Sequence, residues 1–211
     1  MGKFEKGILG GFRGTIGPVV GANWRGLDVM RSRPKRSSRV ASAKQLQQRM
    51  AFALVIRFIT PIRALLDSYF GQPANERSRF DLASSFFLRE AVTGVYPDMS
   101  IDYARVMITK GDLAGVQDAA LTALPLGTLQ FTWADNSGQP EAVSNDLLLA
   151  VVYNPDKARF LYSHVEQRSS GLLSLSVPDA WAGDAVHCWL GFTALGGHRA
   201  STSVYLTGTV V

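Results

Sequence analysis

Apolar and polar residues follow two different periods along the chain, one typical of helices and one typical of strands. The helical period begins after Ser42, which forms a Ser-x-x-Gln capping box with Gln45. Apolar residues then recur at every fourth position, at Leu46, Met50, Leu54 and Phe58. Pro61 ends or kinks this helix, and the amphipathic pattern continues to Gly71. A further helix is predicted over residues 78–93.

The second half of the chain carries the pattern of strands. Seven segments show it: 103–109, 129–133, 147–153, 159–163, 172–177, 185–194 and 202–210. Turn signals such as Asn154-Pro155 and Gly196-Gly197 separate them. Seven short strands with such turns predict an antiparallel β-sandwich of the fibronectin III or immunoglobulin type. The fibronectin type is favoured because Cys188 is the only cysteine and cannot form the disulfide of immunoglobulin domains.

These patterns together predict an α+β fold in three segments. An extended, glycine-rich arm is expected over residues 1–40, two or three helices over 41–97, and the sandwich over 98–211. The residues expected in or near the core shared by the two sheets are Trp133, Val151, Leu175, Leu190 and Phe192.

The arm combines glycines with large apolar residues. It holds eight of the twenty glycines, a density at which a helix is unstable. Between the glycines stand Ile8, Leu9, Phe12, Ile16, Val19, Val20 and Trp24. Such side chains are each worth about 1.5–3 kcal/mol when they are fully buried, so we expect another surface to cover them. That surface belongs either to the chain's own domain or to another copy of the protein, and the copy is favoured because the helices and the sandwich fill their own cores.

Charge separates the arm from the rest of the chain. Residues 1–40 contain nine bases against two acids, a net charge of +7, whereas the whole chain has +5 and the remainder therefore about −2. The bases are densest at Arg31, Arg33, Lys35, Arg36 and Arg39. Three interpretations are open: they contact an acidic surface of a neighbouring subunit, which is favoured, they contact the phosphates of a nucleic acid, or they are solvated and have no partner.

Several short motifs, most of them in the arm, match a known pattern. These are Lys6-Gly-Ile-Leu-Gly-Gly-Phe-Arg-Gly14, Gly17-Pro-Val-Val-Gly21, Trp24-Arg-Gly26, Arg31-Ser-Arg-Pro34, Gln45-Leu-Gln-Gln-Arg49 and, later, Trp181-Ala-Gly-Asp184. The chain resembles an uncharacterised family of short proteins from Bacteroidota, a domain of unknown function, and the resemblance implies no activity, cofactor or catalytic residue. A looser likeness connects residues 45–58 with small phage structural proteins.

Candidate catalytic residues are few. Walker, Gly-x-Gly-x-x-Gly, Gly-x-Ser-x-Gly and His-Glu-x-x-His motifs are all missing from the sequence. His187 and Cys188 are neighbours in a predicted strand, so their side chains point to opposite faces. Asp98 and Asp102 have the spacing of two calcium ligands, but the segment around them lacks the glycine and the terminal glutamate of a calcium loop. We expect both aspartates to stabilise turns. We therefore expect no enzyme, no metal, no cofactor and no small-molecule substrate.

The sequence predicts a structural subunit that assembles with copies of itself into a filament, tube or shell. Residues 7–30 are expected to make their main contacts with another copy. The alternative is an accessory protein that binds nucleic acid through residues 31–39. The sequence contains no stretch of 18 apolar residues and no signal-peptide pattern, so synthesis in the cytoplasm is expected, with a final location there or in an extracellular or virion-like particle.

Overall fold

The structure, a computed structural model, describes the backbone of residues 3–4 and all of residues 11–24, 26–35, 40–73 and 77–211. The chain divides into two compact units, residues 1–42 and residues 43–211.

The first unit is a small antiparallel sheet. Its strands follow one another in chain order as β1 (Lys3–Phe4), β2 (Phe12–Ile16), β3 (Val19–Trp24) and β4 (Leu27–Ser32). The sequence predicts one extended arm for this region, whereas the described part of it turns back on itself in hairpins. Glycine explains the difference, because Gly17 and Gly26 adopt positive φ angles of 56° and 88° in the two tight turns.

The second unit begins with three helices. They are α1 (Ala43–Ile59), α2 (Arg63–Tyr69) and α3 (Arg79–Glu90). A short 3₁₀ turn at Thr60–Ile62, with Pro61 in its first turn, joins α1 to α2, as the proline predicts. Ser78 caps α3 in a capping box with Asp81. This last helix ends earlier than predicted, because a hairpin of β5 (Val92–Val95) and β6 (Asp98–Ile101) follows it.

Seven strands form the sandwich. They are β7 (Gln117–Leu124), β8 (Thr128–Ala134), β9 (Leu147–Asn154), β10 (Arg159–Ser163), β11 (Leu172–Ser176), β12 (Ala185–Thr193) and β13 (Val204–Thr209). One sheet has the strand order β10-β9-β12-β13 and the other has the order β11-β8-β7. Every pair is antiparallel. This division of seven strands into four and three confirms the predicted fibronectin-like sandwich.

Two hydrophobic cores lie on the two faces of the four-stranded sheet. Alternate residues of β9 and β12, such as Val152 and Leu190, pack against β8 and β11 between the two sheets. The residues between them, such as Val151 and Trp189, pack against the helices on the outer face. Strands β9 and β12 are therefore buried on both faces, and the second unit has three layers: helices, the four-stranded sheet and the three-stranded sheet.

The core prediction is correct for four residues and wrong for one. Trp133, Leu190 and Phe192 are buried between the sheets, and the half-buried Leu175 packs against them. Val151 is fully buried, but it lies in the core beneath the helices. The seven consecutive apolar residues of β9 show no alternation of apolar and polar positions. The sequence therefore does not indicate which of them face the helices and which face the three-stranded sheet.

The first predicted strand is also wrong. Residues 103–109 contain a 3₁₀ turn at Tyr103–Arg105 instead, and the strand that opens the sandwich is β7. Its sequence, QDAALTAL, is rich in alanine and carries a register shift between Gln117 and Ala120, with Asp118 at φ 50°. Alanine has a low strand propensity, so pairing with β8 and not the local sequence decides the conformation of β7.

Candidate functional site

The sheet of the first unit has two faces whose residues follow from the strand register. Residues directly opposite each other in antiparallel strands project to the same face. Val20 pairs with Arg31, Ala22 with Val29, and Trp24 with Leu27, so these six residues share what we call face A. Thr15, opposite Val20, extends face A onto β2.

Face B is the other side of the same sheet. Ile16 is opposite Val19, and Gly21 is opposite Met30. A Cβ atom at Gly21 would overlap the carbonyl oxygen of Phe12 and would lie 2.7 Å from its ring. The Phe12 ring therefore covers Gly21, which places Phe12 on face B as well. At the far end of this face Asn23 donates a hydrogen bond of 2.9 Å to the Asp28 carboxylate opposite it.

The sheet buries very little of its own apolar surface. Of the first unit's described residues from Gly11 onward, Gly21 is the only one that is buried. Strand β4 is exposed along its whole length, with Leu27 55% and Met30 74% accessible. Among its described residues, the sheet therefore has apolar side chains on both faces and no buried apolar side chain between them.

The predicted contact residues divide between the two faces. Val20 and Trp24 lie on face A, whereas Phe12, Ile16 and Val19 lie on face B. Trp24 and Ile16 are exposed, and the other three are half-buried. Ile8 and Leu9 are outside the residues that the structure describes. The sequence grouped these side chains on one segment, and the hairpins instead distribute them over two surfaces.

The predicted basic run continues from the edge of this sheet. Arg31 is exposed on β4, opposite Val20, and its position on face A adjoins the apolar patch of Leu27 and Val29. Arg33 and Lys35 follow and are exposed as well. The Arg33 amide donates a hydrogen bond of 2.7 Å to the Pro18 carbonyl, which continues the pairing beyond β4. Arg36 and Arg39 fall outside the described part of the chain.

The histidine–cysteine pair of β12 is divided between two layers. Cys188 is buried between the sheets, where burial raises the pKa of its thiol to about 12. His187 projects to the other face and shares a hydrogen bond of 2.7 Å with the Tyr205 hydroxyl. Burial lowers the pKa of His187, which keeps the imidazole neutral. Because the two side chains lie on opposite faces of the sheet, they cannot act together as a nucleophile and its base.

The sandwich also contains a buried ionic cluster that sequence reasoning missed. The guanidinium of Arg168 is completely buried and donates hydrogen bonds of 2.9 and 3.2 Å to one oxygen of Asp146. It also donates to the Asn136 side chain at 2.6 Å and to the Ala114 carbonyl at 3.1 Å. Its plane lies over the Phe192 ring at 3.8 Å. Asn136 lies in an Asn-Ser-Gly turn sequence, and the serines that follow Arg168 give no sign of a buried charge.

Two kinds of site are missing from the described residues. Within residues 11–24, 26–35, 40–73 and 77–211, three or more metal-binding side chains nowhere come together. Within the same ranges, helices are all too short or too polar to cross a membrane.

Comparison with known proteins gives a family. A family model described as a family of unknown function, DUF6266, matches residues 11–207. The chain is similar to the fibronectin III domain of the human collagen alpha-1(XX) chain, with 17% identity and a TM-score of 0.34 over 48% of this chain and 88% of that domain. Among proteins with curated descriptions, none matches this sequence.

Proposed function

The chain belongs to DUF6266, a family of unknown function, and we propose that it is a structural subunit that assembles with copies of itself through the sheet of residues 11–32. The observation that carries the proposal is the exposure of apolar side chains on both faces of this sheet. Leu27 and Trp24 are more than half exposed on face A, and Met30 is 74% exposed on face B.

The energetics favour a partner for this sheet. A small sheet needs a hydrophobic face packed against something in order to be stable in water. Each large apolar side chain contributes about 1.5–3 kcal/mol on full burial, and face A and face B each present several that are only partly buried. Covering either face with a second sheet therefore stabilises the unit by burying these side chains.

The free edge of β4 offers a route for that contact. Strand β4 pairs with β3 on one side and is the last strand in the sheet order, so its other side is an open edge among the described residues. An open apolar edge pairs readily with another strand, because main-chain hydrogen bonds then add to side-chain contacts. If two copies pair β4 to β4 about a two-fold axis, the axis is perpendicular to the sheet and face A of both copies lies on the same side. The Leu27–Val29 patches of the two copies then become continuous.

Deletion and substitution of the sheet test this proposal. We expect sedimentation velocity and negative-stain microscopy to show assemblies of the full chain, and residues 43–211 alone to be monomeric. The double substitution Leu27→Lys and Val29→Lys puts two charges on face A at the open edge and should prevent assembly. Val40→Lys is the matched control, because Val40 is 94% exposed and lies outside the sheet. Assembly by residues 43–211, or a full chain that stays monomeric at high concentration, would refute the proposal.

Nucleic-acid binding is the second candidate. It is favoured by the position of Arg31 on the same face as Trp24, with Arg33 and Lys35 exposed after it. Trp24 is the single aromatic residue among the described positions of face A. Proteins that bind single strands by base stacking use several aromatic side chains, so one tryptophan is not enough for such a surface. The test is the binding of labelled single-stranded DNA to the full chain. If the affinity falls steeply with salt, and if replacing Arg31, Arg33 and Lys35 by Ala lowers the affinity for every DNA sequence, this candidate replaces the first.

A further inference from the structure

A cavity of about 580 Å³ opens in the second unit, at the end of α1. One side is formed by α1 and the following turn, through Leu54, Phe58 and Pro61. The other sides are formed by β6 and by the ends of β9 and β10. This volume lies within the range of about 300–1,000 Å³ that small-molecule sites occupy in proteins.

Four aromatic rings build the floor of this cavity. Phe58 contacts three of them, with centroid distances of 5.1 Å to Tyr153, 5.2 Å to Phe160 and 5.8 Å to Tyr103. Tyr153 and Phe160 lie 4.4 Å apart with their planes inclined by 35°. The contacts come from α1, β9, β10 and the turn at Tyr103, so each ring is held by a different element. A fixed aromatic surface of this kind suits a flat apolar group.

Each polar side chain that lines the cavity carries a hydrogen-bond donor, and of these groups the Tyr103 and Tyr153 hydroxyls bond to each other while the Ser100 hydroxyl lies 3.2 Å from that of Thr93. Arg57, exposed in the last turn of α1, lines it together with the hydroxyls of Tyr103, Tyr153 and Ser100. Burial raises the pKa of Tyr103 to about 12 and also raises that of Tyr153, so both phenols stay protonated at neutral pH. The positive charge of Arg57 lowers the pKa of Tyr153 and so offsets part of the increase that burial causes. Asp and Glu do not occur among the described residues that line the cavity.

We propose that this cavity binds a small amphipathic carboxylate, with its apolar ring against Phe58 and Phe160 and its carboxylate at Arg57. A guanidinium beside protonated hydroxyls, with no lining carboxylate, matches an anionic acceptor and repels a cation. The apolar majority of the lining supplies the binding surface, and the few donors fix the orientation. The ligand is held without chemical change, and the proposal is independent of the assembly through residues 11–32.

Binding of defined probes to the full chain tests this assignment. We expect isothermal titration to detect 3-phenylpropionate and indole-3-acetate, and to show much weaker binding of 3-phenylpropionamide and 3-phenylpropylamine. Arg57→Gln should raise the Kd of both carboxylates at least tenfold. Arg89→Gln is the matched control, because Arg89 is also an exposed base in the last turn of a helix, away from the cavity. Ser100→Trp should block the cavity and abolish binding of every probe.

The outcomes separate clearly. A loss of carboxylate binding in Arg57→Gln and its retention in Arg89→Gln support the site, provided that thermal unfolding shows both variants folded. Equal affinity for 3-phenylpropionamide, an unchanged Kd in Arg57→Gln, or no binding of either carboxylate at millimolar concentration overturns the assignment.

Discussion

Arg168 is buried in the sandwich and forms hydrogen bonds to several of the segments that connect its strands. Its guanidinium binds Asp146 and Asn136, which belong to the segment between β8 and β9, and Ala114, which precedes β7. Its backbone carbonyl accepts a hydrogen bond of 2.7 Å from the Trp133 indole. Because the charge is completely buried, its stability depends on keeping every one of these acceptors in place.

We expect Arg168→Met to destabilise the second unit by about 3–5 kcal/mol, because it leaves the Asp146 carboxylate buried without its counter-charge. Chemical unfolding of residues 43–211 measures the change. The added substitution Asp146→Asn should recover part of the loss, since it removes the uncompensated charge.

Arg199→Met provides the comparison for that measurement. Arg199 also binds two carboxylates, Asp112 and Glu141, but its side chain is 45% exposed. Exposed ion pairs contribute about 0–1 kcal/mol, so this variant should be close to wild type. If Arg168→Met costs no more than Arg199→Met, the buried cluster is not a major source of stability.

At the scale of elements, glycine has one role in the turns of the first unit and another inside strand β3. In the turns of the first unit it permits positive φ, whereas at Gly21, inside β3, it makes room for the neighbouring strand. Gly21 faces Gly14 across the β2–β3 pair, and the Phe12 backbone and ring occupy the space where a side chain would stand. An aromatic ring that covers a glycine in the adjacent strand compensates for the missing side chain.

Gly21→Ala should therefore separate β2 from β3, because the new methyl group would overlap a backbone carbonyl that cannot rotate away. We expect hydrogen exchange of the amides in residues 12–24 to accelerate at least tenfold, which corresponds to ~1.4 kcal/mol. Ser32→Ala, at an exposed position of β4, should leave the exchange unchanged. Equal protection in Gly21→Ala and wild type would show that β2 adjusts without cost.

On the scale of the whole molecule, the helices and the sandwich depend on each other. The outer face of the four-stranded sheet presents Leu149, Val151, Tyr153 and Trp189 to the helices. Removal of α1, α2 and α3 would expose these side chains, each worth about 1.5–3 kcal/mol when fully buried. That loss is comparable with the total stability of a domain, about 5–15 kcal/mol.

We therefore expect residues 43–211 to unfold cooperatively as one unit and residues 103–211 to be unstable alone. The shorter fragment should aggregate or bind a hydrophobic dye, because the apolar side chains on the outer face of β9 and β12 would be exposed to water. Thermal unfolding and two-dimensional NMR of both fragments measure the difference. A monomeric fragment 103–211 with a dispersed spectrum would show that the sandwich is independent of the helices.

The sequence by itself determined the elements whose signals are local. The start of α3 next to Ser78, the break at Pro61 and the alternation of β8 depend on residues within one or two turns of each other, so periodicity reports them directly. The strand count and the turn residues were enough to predict the sandwich, and the glycine-rich, basic composition was enough to distinguish residues 1–40 from the rest.

Only the tertiary structure decided what those elements meet. Arg168 and Asp146 are 22 positions apart, and no local pattern indicates that a loop arginine turns inward. Strand β7 is weak in propensity and exists because β8 pairs with it. Val151 and Val152 are adjacent valines with the same chemistry, yet they occupy two different cores because successive side chains of a strand point to opposite faces of the sheet. The layers that cover those faces come from distant parts of the chain, and short-range periodicity carries no information about them.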